Sequence, residues 1–314
     1  MSPAESQSAA AVLMVRPACF GFNAETAESN AFQHRPSPAA APAAPRTAAL
    51  AEFDTVVSAL RRAGVEVIVA EDTPDPPKPD AVFPNNWVIF HRDGRVVFYP
   101  MQAPSRRAER REALIAELVR THGFSIYGTE DLSYREAEGK FLEGTGSLVL
   151  DRAARVAYAC LSPRTDLDVL GEFAQRLGYE PVAFEAVDRQ GRPIYHTNVL
   201  MAVGSEFAVV CAEAIPDPRQ RAGVLSRLAA TGHGVVEITH AQMASFAGNC
   251  LELSPPQGRL VVMSEAAWTS LRDGQREALQ RQGAVLRVAI PTIERVGGGG
   301  IRCMLAEVHL PRRD

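Results

Sequence analysis

One pattern, repeated five times, constrains the fold of this 314-residue chain more than any single motif. Residues 46–62 carry Leu50, Phe53, Val57 and Leu60 at helical spacing, Gly64 follows, and an apolar stretch spans 65–69. Apolar residues three and four apart form one stripe of a helix. Glycine supplies the left-handed backbone that ends it, and a short apolar run then reads as a buried strand. The order returns at 106–122, Gly123 and 124–127, then at 166–177, Gly178 and 179–184. It returns again at 219–231, the Gly232/Gly234 pair and 235–238, and last at 264–282, Gly283 and 284–290.

Hairpins fill the gaps between these copies. Stretches 82–90 and 95–99 flank Arg92-Asp93-Gly94, whose Asp-Gly favours a tight hairpin turn. Stretches 147–150 and 155–160 flank 151–153, 198–203 and 206–211 flank Gly204-Ser205, and 250–253 and 259–263 flank 255–258. A β-β-α-β unit recurring every ~50–60 residues is the signature of a repeat architecture. Four units are complete. The fifth has one strand at the N-terminus, 12–15, and one left over at the C-terminus, 301–310. Pairing these two closes a ring and removes the exposed sheet edges of an open array. The expectation is therefore an α/β fold of five ββαβ blades around a central axis, forming one domain over residues 1–314.

Composition excludes several classes of function. A net charge of −4 gives no polyanion-binding bias, so no nucleic-acid partner is expected. The apolar run 9–15 is too short to span a bilayer and lacks a basic leader, which makes the cytoplasm the expected compartment, with no membrane partner. Five scattered cysteines, without a CxxC pair or zinc spacing, read as free thiols rather than disulfides or metal ligands. Residues 1–11 read as a frayed opening. The Ala-, Pro-, Asn- and Ser-rich segment 19–45 reads as a mobile loop at the site.

In a closed ring, matching positions of each unit converge on the axis. The residues at the hairpin starts are Asn85-Asn86, Glu143, His196 with Asn198, Asn249 and Cys303. Each is a polar side chain just ahead of an apolar strand. Cysteine, histidine and glutamate on three such positions supply a nucleophile, a general acid/base and its orienting carboxylate. Cys303 follows the run Gly297-Gly298-Gly299-Gly300, suited to walling a ligand, and stands beside Arg302, which would lower its pKa. Cys250 opens an apolar strand without such a glycine run, and the other six histidines carry no comparable placement. Gly144-Thr145-Gly146 precedes a strand rather than a helix, so it is not a phosphate loop.

The five-unit ring, with the order acid, His-x-Asn and a C-terminal Gly-rich Cys, resembles the guanidino-group-modifying superfamily of the pentein fold. Residues 79–83, 103–107 and 161–165 are similar to segments of the dimethylarginine hydrolases. The resemblance implies Cys303 as nucleophile, His196 as acid/base and Glu143 as its partner. It implies Arg106 and Arg164 as holders of the substrate carboxylate, a task that suits the planar guanidinium fork. Asp80, Asn85, Asn86, Asn198 and Asn249 are the other expected substrate contacts. Family members that act on guanidines place carboxylates where this chain has Asn86 and Asn198. A buried guanidinium without its carboxylates costs about 3–5 kcal/mol, whereas an amide both donates and accepts, as a neutral ureido group requires. The combination of Phe83-Pro84-Asn85-Asn86-Trp87, Glu143-Gly144-Thr145-Gly146, His196-Thr197-Asn198 and Gly298-Gly299-Gly300-Ile301-Arg302-Cys303 resembles the citrulline-utilisation hydrolases. The expected reaction is citrulline to ornithine, ammonia and carbon dioxide through an S-carbamoyl cysteine, with a small amino acid as the only required partner and no cofactor or metal. Arginine deiminase, dimethylarginine hydrolase and amidinotransferase activities are the enzymatic alternatives. A ribosome-binding ring is the non-enzymatic one, against which the Cys/His/Glu trio stands. Assembly into a homo-oligomer is left open.

Overall fold

The computed structural model describes residues 5–37 and 43–313. Residues 1–4 of the expected frayed opening and 38–42 of the expected loop lie outside the described residues. Five three-stranded sheets share one plan. In chain order the strands are β1 (Ala11–Arg16), β2 (Glu66–Glu71), β3 (Val88–Phe90), β4 (Arg95–Phe98) and β5 (Gly128–Asp131). They continue as β6 (Val149–Asp151), β7 (Val156–Leu161), β8 (Glu180–Glu185), β9 (Met201–Val203) and β10 (Phe207–Val210). The last are β11 (Gly234–Glu237), β12 (Leu251–Leu253), β13 (Leu260–Ser264), β14 (Ala284–Val288) and β15 (Ala306–Val308). In every sheet a middle strand pairs antiparallel on one side and parallel on the other, as in β3-β4-β5 and β6-β7-β8. The parallel pairing follows from the intervening helix, which provides the crossover that two parallel strands need.

The expected closure is present. β15 pairs antiparallel with β1 in the register Ala11↔Val308 and Leu13↔Ala306, so the last strand completes the first sheet. β15 also packs beside β3, β6 beside β9 and β9 beside β12. The turn before β6 touches β3, and an Ala9↔Leu253 bridge joins β12 to the segment before β1, so the contacts return to their start. Strands β3, β6, β9, β12 and β15 are buried throughout, whereas the outer strands β2, β5, β8, β11 and β14 are partly exposed.

The helix Leu167–Leu177 shows how sequence produces one copy. The Asp166 carboxylate accepts from the backbone N–H groups of Asp168 and Val169, capping the start, and Gly178 ends the helix at φ 70°. Between them Val169, Leu170, Phe173 and Leu177 face the sheet and are buried, each contributing roughly 1.5–3 kcal/mol. Losing the cap would cost about 1 kcal/mol.

Several boundaries differ from expectation. Residues 106–122 form two helices, Pro104–Arg107 and Glu112–His122, because Arg106 bonds Glu109 and Asn86 instead of continuing a helix face. Residues 264–282 likewise split into Glu265–Ser270 and Asp273–Gln280, with extended backbone at Leu271 and Arg272. The strand expected at 124–127 lies four residues later, at β5, because the Phe124 N–H closes the Gly123 helix end and the Ser125 N–H bonds the Pro311 carbonyl. The opening segment is docked: Gln7 donates to the carbonyls of Leu150 and Val203 at 2.9 and 3.0 Å. No helix among the described residues is long and apolar enough to cross a membrane.

Candidate active site

The hairpin starts are not strands but one-turn helices. Stretches expected to extend from residues 82, 147, 198 and 301 begin instead with Pro84–Asn86, Gly144–Ser147, Thr197–Leu200 and Ile301–Met304. Each turn releases its side chains from the alternation of a strand. Glu143 and His196 are the residues just before two of the turns, while Asn85, Asn86, Asn198 and Cys303 lie within them. Cys303 is therefore in a 3-10 turn ahead of β15 and not at the mouth of a long strand.

His196 Nε2 lies 2.8 Å from Glu143 Oε2, both side chains being fully buried. A carboxylate only accepts, so Nε2 carries the hydrogen and Nδ1 the lone pair. Burial alone would raise the Glu143 pKa, but Arg164, the His196 hydrogen bond and Arg106 outweigh it and hold the carboxyl well below its ordinary range. Burial lowers His196 to about 4 against the pull of Glu143, leaving a neutral imidazole at neutral pH. Gly146 sits against the ring, and a Cβ there would meet His196 Nδ1 at 2.7 Å and Asn86 Nδ2 at 2.4 Å. The imidazole and the Asn86 amide thus share a space that only glycine leaves open.

Cys303 Sγ is held by two carboxamides. Asn249 Nδ2 donates to it at 3.3 Å and Asn198 Nδ2 approaches at 3.6 Å. Asn249 is itself fixed, donating to the Asn198 carbonyl at 2.9 Å and accepting from the Arg302 N–H at 3.0 Å. Gly300 permits this close packing, since a Cβ would lie 2.5 Å from Asn249 Oδ1. The expected lowering of the cysteine pKa by Arg302 is present but does not prevail. Its guanidinium turns away to Glu307 Oε2, 2.6 Å, and the Leu305 carbonyl, 2.8 Å. Burial prevails over Asn249, Arg302 and Asn198, and the Cys303 pKa is raised, so the resting side chain is a thiol.

Cys303, His196, Asn86, Asp80, Arg106 and Arg164 line one narrow cavity of about 270 Å³ of empty space, together with Gly297, Gly298 and Gly299. Asn198 and Asn249 reach it through the sulfur. Asn85 is turned elsewhere: its amide donates to Thr145 Oγ1 at 3.3 Å and it does not line the cavity. Arg106 is already paired, with Nε and Nη2 gripping Glu109 at 2.9 and 2.8 Å and Nη1 donating to Asn86 Oδ1 at 2.9 Å. The pair is an i,i+3 spacing legible in the sequence, yet Glu109 was not among the expected residues. Burial raises Glu109 to about 7 despite Arg106. Arg164 bonds neutral groups of the 19–45 segment, Ser29 Oγ at 2.9 Å and the Thr26 carbonyl at 2.8 Å, and stands 3.5 Å from Glu143.

That segment is a strap. Asn23 and Thr26 donate to Asp80 Oδ2 at 2.7 and 3.2 Å, and Asn30 Nδ2 to the Gly298 carbonyl at 3.1 Å. Thr26, Asn30, Phe83 and Tyr195 complete the cavity wall, and nothing in the composition of the strap singled out Thr26 and Asn30. Asp80 Oδ1 is buried without a partner, and burial raises this carboxyl against Arg106 and Asn23. Among the described residues one group of metal-ligand type, Cys211, Glu213 and His240, lies apart from the cavity.

Comparison with known proteins follows the geometry. The model of the family described as N,N-dimethylarginine dimethylhydrolase, eukaryotic, matches residues 16–310. No curated protein matches the chain by sequence. Unliganded AgrE superposes with a TM-score of 0.73 and 20% identity, over 97% of this chain and 40% of that one. Apo ArgZ, an arginine dihydrolase from the ornithine–ammonia cycle in cyanobacteria, gives 0.73 and 17%, over 96% and 41%. The chain thus spans about two fifths of the AgrE and ArgZ chains. A Cys-to-Ser variant of DDAH from Pseudomonas aeruginosa, complexed with citrulline, gives 0.65 and 17%, over 95% and 98%. Likeness at this identity shows the fold, while the sequence match over nearly the whole length fixes the kinship: the chain belongs to the N,N-dimethylarginine dimethylhydrolase family of the guanidino-group-modifying pentein superfamily.

Proposed function

We propose that this chain is a cysteine hydrolase of a ureido amino acid, citrulline first, working at the axis of a single five-bladed ring. The observation that carries the reading is the orientation of Asn86. Arg106 donates to its Oδ1, so the amide presents Nδ2, a buried donor without a partner, beside the His196 ring. A guanidinium offers only N–H groups, which repel that donor. A ureido oxygen accepts from it, and the oxyanion formed on attack accepts more strongly.

The chemistry then follows from the resting protonation states. Cys303 Sγ attacks the ureido carbon while its proton passes to His196 Nδ1, the nitrogen that Glu143 leaves free. Asn249 and Asn198 stabilise sulfur as charge develops there, and Asn86 receives the oxyanion. His196 returns the proton to the departing nitrogen, the C–N bond breaks, ornithine leaves and an S-carbamoyl cysteine remains. Water, deprotonated by the same nitrogen, cleaves the thioester-like bond. Carbamic acid departs and decomposes to ammonia and carbon dioxide, and the thiol is restored. Arg164, with neutral partners only on the strap, suits the substrate carboxylate better than Arg106, whose charge Glu109 already meets.

A second reading rests on Asp80. Its unpartnered oxygen at the cavity would accept a cationic group, and the arginine dihydrolase named among the similar structures acts on such a substrate. Incubation with citrulline, arginine, agmatine and dimethylarginine separately, assaying ornithine, citrulline and ammonia, decides between them. Ornithine from citrulline alone is expected. Ornithine from arginine as well would favour the second reading, and citrulline accumulating from arginine would overturn the first.

A further inference from the structure

The catalytic cavity is not the most spacious in the molecule. A second, open cavity of about 1260 Å³ of empty space lies on the other side of the strap, with Phe32, Arg189, Met243, Phe246, Glu294 and Arg295 in its wall. The strap is the partition: Thr26 and Asn30 face the catalytic cavity, Ala31 and His34 the second one. Apart from Ala266, the other wall segments each lead within a few residues to a group of the site. Residues 188–192 precede His196, 240–246 precede Asn249, and 291–295 precede the glycine run and Cys303.

These connections are physical. The Phe32 ring lies 5.4 Å from Phe246 and 6.0 Å from Tyr195, which walls the catalytic cavity. The His34 N–H donates to the Arg295 carbonyl at 2.7 Å. Phe246 holds φ 60°, a backbone conformation that costs energy for a bulky residue and clusters at functional sites. Glu294 and Arg295 belong to a π-helical turn, Ile293–Gly297, another frequent mark of such sites.

The chemistry of the walls selects a ligand. Met243 and Phe246 make a buried apolar floor. Glu294, 8% exposed, has a carboxyl oxygen without a hydrogen-bond partner. Arg189, Arg192 and Arg295 are exposed; Arg192 pairs with Asp188 at 2.8 Å, and Glu213 lies within electrostatic reach of Arg189. A cationic end toward Glu294, a short aliphatic middle and a carboxylate at the arginines describe a basic α-amino acid. We infer that this cavity is a second amino-acid site, an effector position for a ligand of the ornithine type, whose occupancy alters turnover at Cys303. That the effector is also the product rests on the proposed hydrolysis of citrulline; the site itself does not.

Titration calorimetry with L-ornithine on the unmodified protein tests the site. Two molecules bound per chain are expected, falling to one in Arg295→Glu and in Glu294→Gln, with the second affinity weakened at least ~tenfold. Turnover at saturating citrulline, where competition at the catalytic cavity vanishes, should shift at least ~twofold with ornithine in the unmodified protein and not in Arg295→Glu. Ornithine binding whose stoichiometry and affinity survive both substitutions unchanged overturns the inference. Two sites with unchanged turnover overturn the effector role. If citrulline is not hydrolysed at all, the proposed function fails while the stoichiometry still reads out this site.

Discussion

Two buried glutamate–histidine pairs share the core of this protein, and they differ in what surrounds the nearest thiol. Glu143 and His196 are 2.8 Å apart beside the Cys303 cavity, while Glu307 and His309 are 3.4 Å apart, with Glu307 at a separate cavity that also contains Cys250. Both carboxyls are held well below their ordinary range, Glu307 chiefly against burial by Arg302. Both histidines are lowered by burial. The cysteines separate the pairs. Cys303 receives two carboxamide donors, and burial raises its pKa only against them. Burial pushes the Cys250 thiol to about 12, and Arg302, the nearby cation, is committed to Glu307. A carboxylate, an imidazole and a thiol in proximity therefore do not make a site. Donors that meet developing charge complete one.

The comparison is broken most sharply by exchanging the sulfurs. Cys303→Ala should lower turnover at least ~10⁴-fold, as expected for a nucleophile, while Cys250→Ala stays within ~threefold of the unmodified protein. Steady-state kinetics giving the reverse order would remove the assignment. Next come the carboxylates. Glu143→Gln should cost ~10²–10⁴ in kcat, because an amide no longer fixes the imidazole tautomer. Glu307→Gln should leave kcat nearly unchanged and cost about 3–5 kcal/mol in denaturant unfolding, because Arg302 and Arg152 lose a buried counter-charge. A smaller effect tests the amide that distinguishes the substrate. Asn86→Asp should lower kcat/KM for citrulline ~10–100-fold, the worth of one buried donor, and gain on guanidino substrates; equal loss on both would show a merely structural amide. The smallest is a rate profile. With the Cys303 pKa raised by burial, alkylation by iodoacetamide should be slow at pH 7 and climb ~tenfold per pH unit through pH 9. A rate already level at pH 7 would mean a resting thiolate.

How much of this was legible in advance can be judged residue by residue. Cys303, His196 and Glu143 emerged because a repeat assigns equivalent positions, and equivalent positions meet at an axis. Arg106 and Glu109 did not emerge as a pair, since an arginine three residues from a glutamate is ordinary on a solvated helix. Only burial turns it into the clamp that orients Asn86. The strap was readable as a segment unable to form a core, yet not as a wall, because Thr26 and Asn30 acquire their roles from Asp80 and Gly298, 54 and 268 residues away.

The sequence by itself determined the repeat, the closure of β1 with β15 and the convergence of unlike polar residues. These depend on periodic burial and on capping, which act over a few neighbours. Tertiary structure alone decided which way each amide faces, which arginine is already neutralised and why the thiol rests protonated. Those follow from desolvation and from partners brought together across blades, and no local pattern records either.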